Sequence, residues 1–128
     1  MWRILVVEDS PTNMLLAVGI LGFAGHIALE ATTATEGITI ARSEHPDVIL
    51  MDIHLPDMDG FAATQILKAD PATCDIPIIA LTASIRTGED KAMREAGFDG
   101  CLGKPISYKE FLAEIETVAN WHSGRQPG

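Results

Sequence analysis

The sequence predicts an α/β protein, a doubly wound sheet of five parallel strands in the order 2-1-3-4-5. Three observations lead there. Short apolar runs within 3–7 (RILVV), 48–51 (VILM) and 78–81 (IIAL) have the length and composition of strands buried on both faces. Stretches with helical spacing alternate with them, and parallel neighbours need such crossover connections. The residues closing the runs are Glu8 and Asp9, Asp52 and Thr82. They fall at the carboxyl ends of strands, where open α/β sheets gather their chemistry.

In chain order, the first strand spans 3–7. Ser10 and Pro11 follow as an N-cap and a first-turn proline. The helix they open presents Leu15, Val18, Leu21 and Gly22 on its inner face, and Gly25 stops it. Residues 26–31 form a weaker strand nearer an edge. Thr33 and Glu36 have capping-box spacing for a helix carrying Ile38, Ile40 and Ala41 towards Pro46. The third strand ends on Asp52, and the turn at 55–60 is favoured by the fixed φ of Pro56 and the freedom of Gly60. A helix over 61–69 points Ile66 and Leu67 inwards, and 70–77 (DPATCDIP) is a loop by composition. The fourth strand, 78–81, precedes a helix over 86–96 that Gly97 stops. A short strand near 100–103 runs into Lys104 and Pro105. Ser107 and Glu110 then cap a helix whose inner face is Phe111, Leu112, Ile115 and Val118.

A chain of 128 residues is one ordinary domain. We place it at 1–121, with 122–128 as a flexible C-terminal tail of loop composition. Apolar residues at 47% and charged residues at 21% are normal for a globular protein. The formal charge of −9 argues against nucleic-acid binding, which needs clustered Lys and Arg. No run reaches membrane-spanning length, and neither a signal peptide nor a membrane partner is expected. Cys74 and Cys101 form no redox or metal motif, and a reduced cytoplasmic location is the expectation. Gly19, Gly22 and Gly25 do not spell a dinucleotide fingerprint.

The strand ends converge. In the order 2-1-3-4-5, strands one and three flank the switch point, with four and five beside them. Glu8, Asp9, Asp52, Thr82 and Lys104 then share one basin. Taken singly, each has an ordinary alternative: Thr82 a strand end, Lys104 a solvated charge, the acids turn caps. Together they make a chemical site. Carboxylates this close repel one another unless a cation joins them. Oxygen ligands without His or Cys favour Mg²⁺. A carboxylate beside that ion can attack a phosphoryl group and become an acyl phosphate, while a hydroxyl and an ammonium stabilise its equatorial oxygens.

The motifs VVED (6–9), MDIHLPDMDG (51–60), LTA (81–83) and KP (104–105), in this order and spacing, resemble the receiver domains of two-component response regulators. The resemblance covers 3–119 and implies a flavodoxin/CheY-like (βα)5 fold. KPIS followed by FLAEI further resembles the DivK-type single-domain regulators. Matched residue by residue, the family implies that Asp52 is the phosphoacceptor. It implies that Asp9 binds Mg²⁺ directly, Glu8 mostly through water, and the His54 backbone carbonyl as a third protein ligand. Thr82 and Lys104 contact the phosphoryl group, and the bond before Pro105 is cis as in the family. His54 and Ser84 stand where the family tunes phosphoryl lifetime.

One departure is Cys101, where receivers usually carry Tyr or Phe that swings inward as the threonine moves. So small a side chain cannot report by that rotation. The switch set is therefore Thr82, Cys101 and Pro105, with the signal expected to travel through residues 82–87 and the helix after them. The implied partners are a sensor histidine kinase or histidine phosphotransfer protein as donor, and a downstream protein on the face of the fourth helix, fifth strand and fifth helix. The chain is expected to be no enzyme beyond catalysing its own phosphorylation and dephosphorylation. The alternatives are a receiver of a hybrid histidine kinase and a degenerate receiver that works without phosphorylation. A dehalogenase-type Mg²⁺ phosphatase is a third, disfavoured because His54 stands where its second aspartate belongs.

Overall fold

The computed structural model describes residues 2–82, 94–103 and 107–125. Its five parallel strands are β1 (Arg3–Val7), β2 (Ile27–Ala31), β3 (Val48–Asp52), β4 (Ile78–Thr82) and β5 (Gly100–Gly103). They lie in the order β2-β1-β3-β4-β5, as predicted. The named helices are α1 (Pro11–Phe23), α2 (Ala34–Glu44), α3 (Gly60–Ala69) and α4 (Tyr108–Arg125). The helix expected over 86–96 lies mostly outside the described residues, although 94–96 are helical.

The sheet divides the core in two because side chains alternate between its faces along each strand. Leu5, Val7, Ile49, Met51, Ile78 and Ala80 pack against α2 and α3. Ile4, Val6, Val48, Leu50, Ile79 and Leu81 pack against α1 and α4. All residues of β3 and β4 are buried, which is why their sequences run apolar without alternation. β2 is the expected edge strand, with Ile27 and Glu30 exposed and Ala31 alone fully buried.

The caps follow the sequence. Ser10 accepts from Asn13 N and Thr33 from Glu36 N, each from extended backbone. Glu36 returns a carboxylate oxygen to Thr32 N at 2.9 Å, one residue before the expected Thr33. Gly25 stops α1 at φ +86°, and Gly97 stands at φ +107° after 94–96. His45 ends α2 in the left-handed region at φ 44°.

Three expectations are corrected. In α1 the inner face is Met14, Ala17 and Leu21, while Leu15 is 74% exposed and Gly22 also faces solvent. Val18 is only partly buried. The helix is apolar on every side, so spacing alone did not choose the face. In α3, Ile66 is exposed and the buried stripe is Gly60, Ala63, Thr64 and Leu67. Small residues let that helix sit close on the sheet, and the large Ile66 is turned away. Finally, α4 continues to Arg125, through residues whose composition predicted a loop from 122.

Candidate functional site

The parallel registers build the site. Val7 pairs with Met51, so the next residues, Glu8 and Asp52, come side by side at the carboxyl ends of β1 and β3. Asp52 pairs with Leu81, which sets Thr82 one step beyond it on β4, and Thr82 pairs with Gly103 at the end of β5. Lys104, Pro105 and Ser84 lie outside the described residues.

Glu8, Asp9 and Asp52 each bring a carboxylate oxygen within 4.8 Å of the other two. Glu8 is 1% exposed and Asp52 3%, whereas Asp9 is open to solvent. Two buried carboxylates and one exposed, this close, form a strongly negative recess that favours a cation. The donor set is all oxygen, with no thiolate or imidazole in the cluster, and so fits a hard divalent ion such as Mg²⁺. Thr82, also buried, brings a hydroxyl to the same edge.

Local bonds fix the acids. Ser10 N–H donates to Glu8 Oε2 at 3.1 Å while the Ser10 hydroxyl caps α1, so the helix start and the acid are tied together. His54 N–H donates to Asp52 Oδ1 at 3.1 Å, orienting that carboxylate. The His54 side chain is exposed. The 54–59 loop closes as a small hairpin with an antiparallel bridge between His54 and Asp59. Asp59 then caps α3 by accepting from Ala62 N at 2.8 Å.

Gly60 is indispensable to this geometry. A Cβ there would lie 2.5 Å from the Asp52 carbonyl oxygen and 2.8 Å from Ile53 Cα, and those are backbone atoms with nowhere to go. Gly60 N–H donates to Ile53 O at 2.7 Å, pressing the start of α3 onto the acidic strand end. A groove of about 350 Å³ opens beside the acids, walled by the cap Ser10, by Met14, Leu15 and Val18 of α1, and by Glu30 and Thr32. On the opposite flank, Cys101 is half-buried beside a shallow groove of about 340 Å³ between β5 and α4.

The sequence missed Asp57. Its carboxylate accepts from Ala34 N and Thr35 N, both at 2.9 Å, and from the Thr35 hydroxyl at 2.6 Å. Those three bonds hold its pKa down at about 2, the Thr35 hydroxyl contributing most. The partners are 22 and 23 residues away in the chain, and no local motif announces such a contact.

Comparison with known proteins agrees with this geometry. The response regulator receiver domain family matches residues 4–116. The polar-differentiation response regulator DivK of Brucella ovis is 35% identical over 114 residues, covering 89% of this chain and 93% of DivK. Protein PilH of Pseudomonas aeruginosa is 38% identical over 118 residues, covering 92% and 98%. Among solved structures, the receiver domain of the sensor histidine kinase PA1611 from P. aeruginosa superposes with a TM-score of 0.83 at 30% identity, covering 95% and 98%. That structure holds a magnesium ion coordinated in its active-site cleft.

Proposed function

This chain belongs to the response regulator receiver domain family, and on that premise we propose that Asp52 is the residue that accepts the phosphoryl group. The observation that carries the reading is the burial of Asp52 at the tip of β3 with the Glu8 and Asp9 carboxylates within 4.8 Å.

Asp9, Asp52 and the His54 backbone carbonyl would hold Mg²⁺, with Glu8 acting through water. When bound, the ion offsets the repulsion among the acids and the charge on the incoming phosphoryl oxygens. The chain's own residues do the rest. An Asp52 carboxylate oxygen bonds to phosphorus as the phosphorus–nitrogen bond of a donor phosphohistidine breaks, and the departing imidazole keeps its electron pair. His54 N–H holds Oδ1 and so limits the carboxylate's rotation during the attack. The Thr82 hydroxyl and the Lys104 ammonium meet the transferred oxygens, and water returns the carboxylate by hydrolysis. The donor is a sensor histidine kinase or a phosphotransfer protein. The phosphorylated state then changes affinity for a downstream protein on the flank of β5 and α4, completed by the helix expected over 86–96. No helix among the described residues is long and apolar enough to cross a membrane, and we place the protein in the cytoplasm.

A second reading, a receiver module serving a sensor kinase, is supported by the likeness to the PA1611 receiver domain. It uses the same chemistry. The decisive experiment is incubation with acetyl phosphate and Mg²⁺ followed by intact-mass measurement. Wild type should gain one phosphoryl group and Asp52→Asn none. Wild type without the gain would leave a receiver that works unphosphorylated.

A further inference from the structure

We propose that Asp57 is a positioning residue for the acceptor site, clamping the 54–59 loop to the first turn of α2 and so holding residue 54 in register with Asp52. The proposal rests on the reading of Asp52 given above and extends it to a residue that touches neither phosphoryl group nor metal.

The first turn of α2 offers three backbone N–H groups that have no partner inside the helix. Thr33, the helix's own cap, takes the one from Glu36 at 3.1 Å. Asp57 takes the other two, from Ala34 and Thr35, and adds the Thr35 hydroxyl. A side chain from another loop thus completes the cap, with charge-assisted bonds at the positive end of a helix. Its depressed pKa keeps the carboxylate ionised throughout the ordinary working range.

The helix it grips is a fixed post. Ala34, Ile38 and Ala41 are buried, and Gly37 lies so close to β1 that a Cβ would meet Val7 Cγ2 at 2.7 Å. Val7 directly precedes Glu8. The first turn of α2 is therefore packed against the strand that delivers two acids and hydrogen-bonded to the loop that follows the third. At the loop's ends, the His54–Asp52 and Gly60–Ile53 bonds are local. Among the described residues, Asp57 makes the side-chain hydrogen bonds that run from the middle of the loop to a distant element, beside the core contacts of Leu55 and Met58. Losing Asp57 leaves residue 54 held only by the bridge to Asp59 and the bond to Asp52 among these polar contacts, and so loosens the residue whose N–H orients Asp52 and whose carbonyl is assigned to the metal.

The test compares Asp57→Ala, Asp57→Asn and Thr73→Ala in the full chain. Thr73→Ala removes a buried hydrogen bond to Leu67 O, away from the acids, and calibrates plain loss of stability. In metal-free protein, amide hydrogen exchange should accelerate in Asp57→Ala at Ala34, Thr35 and His54. Titration with Mg²⁺ alone should show binding weakened about 3- to 10-fold, at or below the low end of the range for outer-shell contacts. Asp57→Asn, which keeps one acceptor oxygen, should recover part of both, and Thr73→Ala should change neither. Deprotection confined to Ala34 and Thr35, with His54 exchange and Mg²⁺ affinity as in wild type, would reduce Asp57 to a helix cap and overturn the proposal. Failure of the acceptor reading shows separately, as wild-type protein that neither binds Mg²⁺ nor gains phosphoryl mass. Exchange at His54 still reports the clamp in that case, and an unaccelerated His54 in Asp57→Ala refutes it.

Discussion

Helices α1 and α2 follow the first two strands and begin near the same acidic recess, yet they are held in opposite ways. α1 is capped locally by Ser10, across 3.4 Å. It carries no charged residue and leaves Leu15 and Phe23 largely exposed. α2 is capped both by its own Thr33 and by Asp57 from a distant loop, and it buries small residues against β1. The difference separates two jobs at one rim. The uncharged, apolar α1 forms a wall of the groove beside the acids, whereas α2 is a brace to which Asp57 ties the 54–59 loop.

The glycines give the sharpest contrast. Gly37→Ala in α2 forces a methyl into Val7, a stiff β-branched neighbour, and should destabilise by roughly 1–3 kcal/mol. Gly19→Ala in α1 meets nothing within 4 Å and should stabilise by about 0.5–1 kcal/mol through helix propensity. Urea unfolding of both variants reads the signs directly. Equal effects would mean that the two helices pack alike and would break the comparison.

Acid titration is the next measure. The Asp57 carboxyl has its folded pKa lowered from 3.8 to about 2. Its contribution is therefore complete above 3.8 and is lost as pH falls through about 2, because the unfolded chain binds that proton first. Thermal scans between pH 5 and pH 2, the window about these two values, should show a shallower acid loss in Asp57→Asn than in wild type. Identical slopes would show that the α2 cap carries no charge dependence. The smallest effect belongs to α1. Leu15→Gln should shift stability by no more than about 0.5 kcal/mol, since the side chain is mostly in water. A larger loss in the same unfolding assay would make α1 a core helix on that side too.

What the sequence revealed followed from local pattern. Apolar runs marked β3 and β4, Ser10 and Thr33 marked two helix starts, and the acids at the strand ends marked the candidate site. The errors lie where pattern is degenerate. With leucines at 15, 16 and 21 and valine at 18, α1 offers several apolar stripes, and only contact with the sheet selects Met14, Ala17 and Leu21. In α3 the size of Ile66 misled, because close packing favours Gly60, Ala63 and Thr64. Asp57 lies within the turn expected at 55–60, where nothing local singles it out. Its role depends on the approach of Ala34 and Thr35, a tertiary event without a short-range signature. The expected path through 82–87 falls largely outside the described residues.

The contact between Gly60 and the Asp52–Ile53 backbone fixes how closely α3 sits beneath the tip of β3. A chain segment without room for one methyl group beneath it rests on an anvil. Any group that comes to sit on Asp52 therefore meets a strand end already backed by the start of α3.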